Sequence, residues 1–237
     1  MSPFIGEFIG TALLIIMGNG VVANVVLNKT KGNNSGWIVI TFGWAMAVFI
    51  GVYASTHFGG SGHLNPAVTV AVALFGDFDS SLIGSYIVAQ FAGAIAGAII
   101  VWLTYKQHFD ETQDKDLKLA VFCTGPAIRN PLTNLFTEIV GTFVLVFGAL
   151  SMSKSAQTLG ALDALPVGLL VLAIGLSLGG PTGYAINPAR DLGPRIAHFI
   201  LPIKNKRDSD WSYSWIPVVG PVIGALVAAY VFKLLHL

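Results

Sequence analysis

Hydrophobic positions in this chain run in long stretches that polar residues rarely interrupt. The hydrocarbon core of a bilayer is about 30 Å thick, and a helix of roughly 20 apolar residues crosses it. Six stretches approach this length, of which the fifth is short and glycine-rich. They comprise residues 4–27, 37–54, 81–105, 132–152, 164–180 and 211–232. The pattern therefore predicts an all-α membrane protein with six transmembrane helices.

Two further apolar segments are too short to span a bilayer. Residues 64–75 and 188–200 provide about twelve positions each, enough helix to cross half of the membrane. The same tripeptide stands at or next to the start of each segment, as Asn65, Pro66 and Ala67 and again as Asn187, Pro188 and Ala189. We therefore expect two re-entrant half-helices in addition to the six spans.

The chain contains an internal repeat. Glu-x-x-Gly-Thr begins at Glu7 and again at Glu138, 131 positions later, and the Gly-Ala pair at Gly93 returns at Gly224 with the same offset. Each copy has three spans and one half-helix, and because three is odd, the second copy must insert upside down. Inverted repeats with broken helices place a site at the membrane midplane. We expect one transmembrane channel domain over residues 1–237, with repeats at about 4–105 and 132–237.

Composition narrows the possible functions. Apolar residues make up 54% of the chain and charged residues 11%, and the mean hydropathy is +0.72. The net charge of +1 provides no basic face for nucleic acid, and Cys123 is the one cysteine, which excludes a disulfide framework. With no cluster of metal-ligand spacing and no pairing of nucleophile and base, we expect no metal and no enzymatic activity.

The residues of the repeated tripeptide are typical of the start of a helix. Asn is a good N-cap, and Pro at the first helical position has its φ already set for the helix. Inversion brings two such helix starts face to face, each carrying roughly half a positive charge from its peptide dipoles. Such a midpoint repels cations and orients water with its oxygen inward, which interrupts proton conduction. We expect the amides of Asn65 and Asn187 to donate hydrogen bonds to passing oxygens.

The segments before the tripeptides are rich in glycine and are expected to be non-helical. Irregular backbone at membrane depth is tolerated where it is buried in protein or borders a cavity. Its carbonyls would form a ladder of acceptors that replaces part of a solute's hydration shell. The candidate carbonyls are those of Ser61, Gly62, His63, Leu64, Gly183, Tyr184, Ala185 and Ile186.

Three charged residues stand out within the apolar segments. Glu7 and Glu138 occupy equivalent repeat positions, and we expect each to brace the neighbouring half-helix loop; a proton relay is the alternative. Arg190 follows the second tripeptide, where the first repeat has Val68. A fixed guanidinium at a narrow point binds hydroxyl oxygens and repels cations. A salt bridge between Arg190 and Asp191 is the competing interpretation.

These residues together resemble the major intrinsic protein (aquaporin) family along nearly the whole chain. The resemblance rests on Ser-Gly-His-Leu-Asn-Pro-Ala-Val at 61–68, Gly-Tyr-Ala-Ile-Asn-Pro-Ala-Arg-Asp at 183–191 and the paired Glu boxes. Four further positions resemble the glycerol facilitator branch, namely Asp191, Arg195, Pro217 and Val218.

The resemblance implies a selectivity constriction, a homotetramer with one pore per subunit, and no cofactor. The family's constriction maps onto Phe42, Gly175, Tyr184 and Arg190. Counting back from the first tripeptide without a gap would place the second-span member at Ala45, and another anchoring would choose Ile40. Gly175 would widen the constriction, while Phe42 and Tyr184 would form an apolar wall opposite Arg190.

The sequence thus predicts a passive, multi-pass membrane channel, located in the plasma membrane, for glycerol, other small uncharged solutes and some water. It would exclude ions and protons. Two alternatives stay open. One is a channel of the same fold tuned to dihydroxyacetone, urea or protonated short organic acids; the other is a proton-coupled secondary transporter.

Overall fold

The computed structural model describes residues 2–152 and 160–235, so parts of the predicted second repeat, at 153–159 and 236–237, lie outside the described residues. All regular secondary structure in the described residues is helical. Its helices are α1 (Pro3–Val26), α2 (Trp37–His57), α3 (Pro66–Phe75), α4 (Ile83–Thr104), α5 (Lys106–Glu111), α6 (Lys115–Ala120), α7 (Pro131–Ser151), α8 (Leu165–Ser177), α9 (Pro188–Ile200) and α10 (Ile216–Leu235).

Five of these helices, α1, α2, α4, α7 and α10, are long and apolar enough to cross a bilayer. The helix in the predicted fifth span is shorter than expected: α8 ends at Ser177, because the following residues leave helical geometry for the glycine-rich loop. The predicted sixth span starts too early, since residues 211–215 form turns and α10 begins at Ile216. Proline in the first turn of α1, α3, α7, α8 and α9 favours these helix starts.

The two halves of the chain pack in a matching pattern. Helix α1 lies against α4 in the first half, as α7 lies against α10 in the second. Each half-helix packs against a long helix of the other half: α3 against α10, and α9 against α4. Helix α2 joins the halves through its contact with α8. The half-helices are thereby held inside the helix bundle.

Glycines allow the close contact within each half. A Cβ atom on Gly93 of α4 would lie 2.4 Å from the Phe8 carbonyl oxygen of α1. The matching contact in the second half joins Gly224 of α10 to Ile139 of α7, where a Cβ atom would lie 2.3 Å from the carbonyl oxygen. Small residues at helix interfaces in membranes let backbones approach closely. The same contact is therefore built twice, once in each repeat.

The connection between the two halves, residues 106–130, carries many charged side chains but is partly buried. It contains α5 and α6, and its Phe109 and Phe122 are fully buried with ring centroids 5.6 Å apart. Lys118 is buried too, and its ammonium group donates a 2.6 Å hydrogen bond to the Lys204 carbonyl oxygen. The connection therefore folds back onto the bundle.

We expect Gly93→Ala to destabilise the protein, because the added methyl group would overlap the backbone of α1. Overpacking of this kind costs about 1–3 kcal/mol, which corresponds to a fall of roughly 3–10 °C in Tm for a chain of this size. Gly84→Ala is the matched control on the same helix, since a Cβ atom there meets nothing within 4 Å. Thermal unfolding in detergent, followed by circular dichroism, measures both; equal Tm values would contradict the packing.

Candidate functional site: two half-helix starts and a constriction

The site is built where the two half-helices begin. Asn65 and Asn187 are the N-caps of α3 and α9, with extended backbone φ angles of −153° and −160°. The side-chain oxygen of Asn65 accepts a 3.0 Å hydrogen bond from the Ala67 N–H, and that of Asn187 accepts from Ala189 at 3.0 Å and Arg190 at 3.2 Å. Both first turns are thus capped, and both positive dipole ends point to this place.

Each cap also bonds to the loop that precedes the other half-helix. Asn65 Nδ2 donates to the Ile186 carbonyl oxygen, and Asn187 Nδ2 donates to the Leu64 carbonyl oxygen, both at 2.8 Å. This differs from the expectation that the amides are wholly free for solute. Each amide has a second N–H and each carbonyl a second lone pair, so one hydrogen-bonding position per group is used by the protein.

A buried carboxylate holds the first loop. Glu7 Oε1 accepts hydrogen bonds from the His63 backbone N–H and the Ser55 hydroxyl, both at 3.0 Å. Its Oε2 accepts from the Leu64 backbone N–H and from Gln90 Nε2, both at 2.8 Å. Four donors therefore satisfy a carboxylate that is fully buried, as a buried charge requires.

The second loop is held in the same way. Glu138 Oε1 accepts from the Thr182 hydroxyl at 2.7 Å and the Ala185 N–H at 3.0 Å, and its Oε2 accepts from the Ile186 N–H at 2.8 Å. Leu64 and Ile186, the residues whose N–H groups meet the carboxylates, have φ angles of +51° and +45°. Residues other than glycine rarely adopt this left-handed backbone conformation without support from their surroundings. The carboxylates supply that support.

Two cavities border the loops and share three lining residues. The first, of about 240 Å³, is bordered by the loop residues 61–65 and 184–187 and by apolar side chains; the second is about 300 Å³. Trp44, Tyr184 and Arg190 border both cavities, and the place where these three side chains separate the cavities is called the constriction below. Of the eight predicted carbonyl residues, Gly183 borders the second cavity and the other seven border the first.

Arg190 is a buried cation at this constriction. Its guanidinium carbon lies 4.0 Å from the centre of the Trp44 ring, a cation–π contact. The competing expectation of an ion pair with Asp191 is wrong, because Asp191 pairs with Arg195 at 2.9 Å. Arg190 Nη1 is buried and has no hydrogen-bond partner in the part of the chain that the structure describes. The constriction therefore contains a buried donor that is unpaired within the described residues.

The prediction of Phe42 as the second-span constriction residue is wrong. The Phe42 side chain is 53% exposed on the outside of the bundle and borders neither cavity, whereas Trp44 is buried and borders both. The alternatives fail as well: Ala45 borders neither cavity, and Ile40 borders only the second. Residues two positions apart on a helix point in directions about 200° apart, so Phe42 and Trp44 face opposite ways.

Gly175 lies beside the constriction and makes room for an aromatic ring. A Cβ atom there would lie 2.9 Å from Thr41 Cγ2 and 3.0 Å from Tyr184 Cζ. The Tyr184 ring also contacts Trp37 edge to face, with centroids 5.8 Å apart. The missing side chain thus lets Tyr184 sit back against α8, which is a more specific effect than the predicted widening.

Asp191 and Arg195 form a buried network behind the constriction. Asp191 Oδ2 accepts from the Thr124 N–H and hydroxyl, both at 2.7 Å, and Arg195 donates to the Thr124 carbonyl oxygen at 2.9 Å. Thr124 in turn packs on Gly183, where a Cβ atom would lie 3.3 Å from its methyl group. Sequence reasoning missed Thr124, because its only signal was its place in a polar connection.

Outside the bundle, the network continues to the connection before α10. Arg195 Nη1 donates to the carbonyl oxygens of Ser209, at 2.7 Å, and Asp210, at 3.1 Å. Burial raises the pKa of the Asp210 carboxyl, but hydrogen bonds from Arg129 and Ser212 outweigh this effect and leave its pKa below the usual value.

The other two predicted branch markers lie away from the site. Pro217 and Val218 are in the first turn of α10, and neither borders the two cavities. Their packing position gives them no direct contact with a solute there.

The chain is similar to known proteins along nearly its whole length. Residues 1–232 match the family described as Major intrinsic protein. The probable glycerol uptake facilitator protein of Thermotoga maritima is 58% identical over 98% of this chain and 99% of its own length. The glycerol uptake facilitator protein of Streptococcus pneumoniae (strain R6) is 56% identical over 99% of both. The X-ray structure of the aquaglyceroporin from Plasmodium falciparum has a TM-score of 0.86 and 31% identity, over 98% of this chain and 94% of that one.

The helical bundle, its two half-helices and the cavities that they border define a multi-pass membrane transport protein. The chain belongs to the major intrinsic protein family. The predicted fold class, an all-α membrane protein with re-entrant half-helices in an inverted repeat, is confirmed by the similarity to a solved aquaglyceroporin.

We expect Gly175→Ala to slow glycerol more than water, because the new methyl group would push the Tyr184 ring into the constriction. An overlap of this kind costs about 1–3 kcal/mol, and about 1.4 kcal/mol added to the barrier for glycerol lowers its permeability tenfold, with a smaller loss for water. Gly180→Ala is the control, since a Cβ atom there meets nothing within 4 Å. Stopped-flow light scattering on proteoliposomes measures both solutes; an equal loss for both would contradict this position.

Proposed function

We propose that the protein is a passive transmembrane channel for glycerol and other small uncharged solutes, with some permeability to water. The observation that carries the proposal is the constriction, where the aromatic rings of Trp44 and Tyr184 stand beside the unpaired donor of Arg190. A small polyol has the matching chemistry: a carbon chain for the rings and hydroxyl oxygens for the guanidinium. Relatives named glycerol uptake facilitators support this choice of solute.

The loops supply the complementary acceptors. The Leu64 and Ile186 carbonyls already accept hydrogen bonds from the caps, whereas the six other predicted carbonyls accept none from the part of the chain that the structure describes. A hydroxyl that leaves water can donate to them, which offsets its lost hydration. The solute would thus pass with its hydroxyls along the loops and its carbon chain along the apolar wall.

Cations and protons are excluded by fixed positive charge. Two helix N-termini meet near Asn65 and Asn187, and Arg190 adds a full charge at the constriction. Because this charge is held in a narrow, poorly hydrated passage, it acts more strongly than it would in water. Neutral solutes pass the positive charge without this electrostatic repulsion.

A passive channel explains the buried carboxylates better than proton coupling does. Glu7 and Glu138 border neither cavity, and their oxygens accept hydrogen bonds from loop and helix groups. A coupled transporter needs a titratable group in the solute path. We propose that both glutamates brace the half-helix loops. Loss of gradient-driven accumulation in Glu7→Gln and Glu138→Gln would instead support coupling.

The remaining parts of the proposal follow from the same fold. The two repeats, at about 4–105 and 132–237, form a single channel domain surrounded by lipid. The subunits assemble as a homotetramer with one pore each, and the protein is a channel without enzymatic activity or a nucleic-acid partner. A channel for dihydroxyacetone, urea or protonated short organic acids is the alternative that a solute panel decides.

Purified protein in proteoliposomes tests the proposed function directly. We expect rapid glycerol equilibration down an outward or inward gradient, with no dependence on a proton gradient. Urea, dihydroxyacetone and lactic acid at low pH complete the panel. Glycerol flux no faster than in protein-free vesicles, or flux that requires a proton gradient, would refute the proposal.

We expect Arg190→Val to raise proton leak about tenfold or more while water still passes, because the fixed charge at the constriction is lost. Arg129→Val is the control, since Arg129 is half exposed and pairs with Asp210 outside the constriction. A pH-sensitive dye inside the vesicles reports the leak. Equal leak in both variants and the unaltered protein would count against the role of Arg190.

A further inference from the structure

A buried ion pair follows Arg190 on the half-helix α9. Asp191 is the next residue and Arg195 lies about one helical turn further on; their side chains are fully buried and pair at 2.9 Å. Neither of them borders the two cavities, so neither is placed to meet a solute. The residues at the three matching positions of the first half carry no charge and are Val68, Thr69 and Ala73.

The Asp191 carboxylate holds the connection between the halves against α9. Its Oδ2 accepts hydrogen bonds from the Thr124 N–H and hydroxyl, both at 2.7 Å. Thr124 in turn packs on Gly183, the residue before Tyr184. The carboxylate is therefore part of the contact that supports the second loop.

This carboxylate creates an electrostatic conflict with Arg190. The two residues are neighbours in the chain and both are at least nine-tenths buried, where water and salt screen charges little. Neighbouring residues on a helix do not face each other, so the negative charge acts on the constriction through its field rather than through a contact. An uncompensated Asp191 would offset the positive charge of Arg190.

Arg195 removes this conflict. Its Nε donates to Asp191 Oδ1 at 2.9 Å and its Nη2 donates to Oδ2 at 3.2 Å, so the guanidinium meets both carboxylate oxygens. A forked pair of this kind is the strongest pairing of the two groups. The two arginines and one aspartate leave a single positive charge, which is the charge that Arg190 has alone.

We propose that Arg195 is a positioning residue for ion exclusion: it neutralises Asp191, so that the charge of Arg190 acts undiminished at the constriction. The inference rests on the proposed exclusion of cations by Arg190. It gives the pair Asp191 and Arg195 a role in the barrier itself, although neither residue touches the solute. Asp191 supports the loop, and Arg195 makes that support compatible with a positive constriction.

A merely structural role of the ion pair makes a different prediction. Breaking the pair from either side would loosen the same contacts, so both changes would act in the same direction. An electrostatic role gives opposite directions, because loss of the Arg195 charge lowers the local charge by one and loss of the Asp191 charge raises it by one. Glu7 and Glu138 are unchanged in each variant and do not affect this comparison.

Three variants test the two roles, namely Arg195→Gln, Asp191→Asn and the double variant. In the double variant, Gln and Asn four positions apart on a helix can form a neutral hydrogen bond in place of the ion pair. Arg207→Gln is the matched control, since it makes the same change of charge in the connection between α9 and α10, where Arg207 pairs with Asp116 and Asp208 at the surface.

Each protein is reconstituted into proteoliposomes that contain a pH-sensitive dye. The dye reports proton leak under a pH gradient, and stopped-flow light scattering on the same vesicles reports water permeability. The ratio of proton leak to water permeability is compared between variants. This ratio cancels differences in the amount of open protein per vesicle.

We expect Arg195→Gln to raise the ratio about three- to tenfold, the size of effect expected for one charge that is poorly screened. Asp191→Asn should leave the ratio no higher than in the unaltered protein, although it breaks the same ion pair. The double variant should return the ratio to that of the unaltered protein, because the local charge is restored. Arg207→Gln should have no effect, since its charge is solvated and screened.

The outcomes separate this inference from the function on which it rests. An unchanged ratio in Arg195→Gln, or a raised ratio in Asp191→Asn or the double variant, would show that the pair is only structural and would refute the inference while the channel function stands. The last two variants decide the question even if Arg195→Gln does not fold. If Arg190→Val leaks no more than the unaltered protein, the proposed ion exclusion fails first and this inference fails with it.

Discussion

The structure depends on two hydrogen bonds that cross between its halves, from the amides of Asn65 and Asn187 to the carbonyls of Ile186 and Leu64. These bonds fix where the two half-helices begin relative to one another. Because all four groups are buried, breaking either bond leaves polar atoms unpaired at about 1–3 kcal/mol each. These two hydrogen bonds hold the helix ends together and so create the positive midpoint.

The same contact explains why each half needs the other. Glu7 and Glu138 hold the left-handed residues of their own loops, while each loop's carbonyl receives the cap of the opposite half-helix. The repeat thus supplies a symmetric frame. The two halves differ at the constriction, and we attribute selectivity to this difference. Arg190 stands where the first half has Val68, and its guanidinium stacks on Trp44. The loop-bracing contacts therefore occur in both halves, whereas the constriction occurs once.

The sequence predicted most of the site residues that are polar. It predicted little about which apolar side chains face the cavities. The repeated tripeptides and glutamates stand out because polar groups are rare in these spans, so their places in the site could be inferred. Phe42 is predicted from the resemblance of residues 42–45 to the family, and Trp44 was not among the alternatives. Periodicity could not correct this prediction, because α2 is apolar on every side and a cavity-facing side cannot be told from a lipid-facing one. The role of Thr124 required three-dimensional contacts between distant segments.

Two half-length helices meet tip to tip inside the bilayer. An electron cryo-microscopy map of the protein in lipid nanodiscs measures this most directly. We expect α3 and α9 both to begin near the middle of the lipid belt, with each Asn amide nitrogen close to 2.8 Å from the opposite carbonyl oxygen. A half-helix outside the lipid belt, or amides more than about 5 Å from those oxygens and so beyond hydrogen-bond distance, would contradict it.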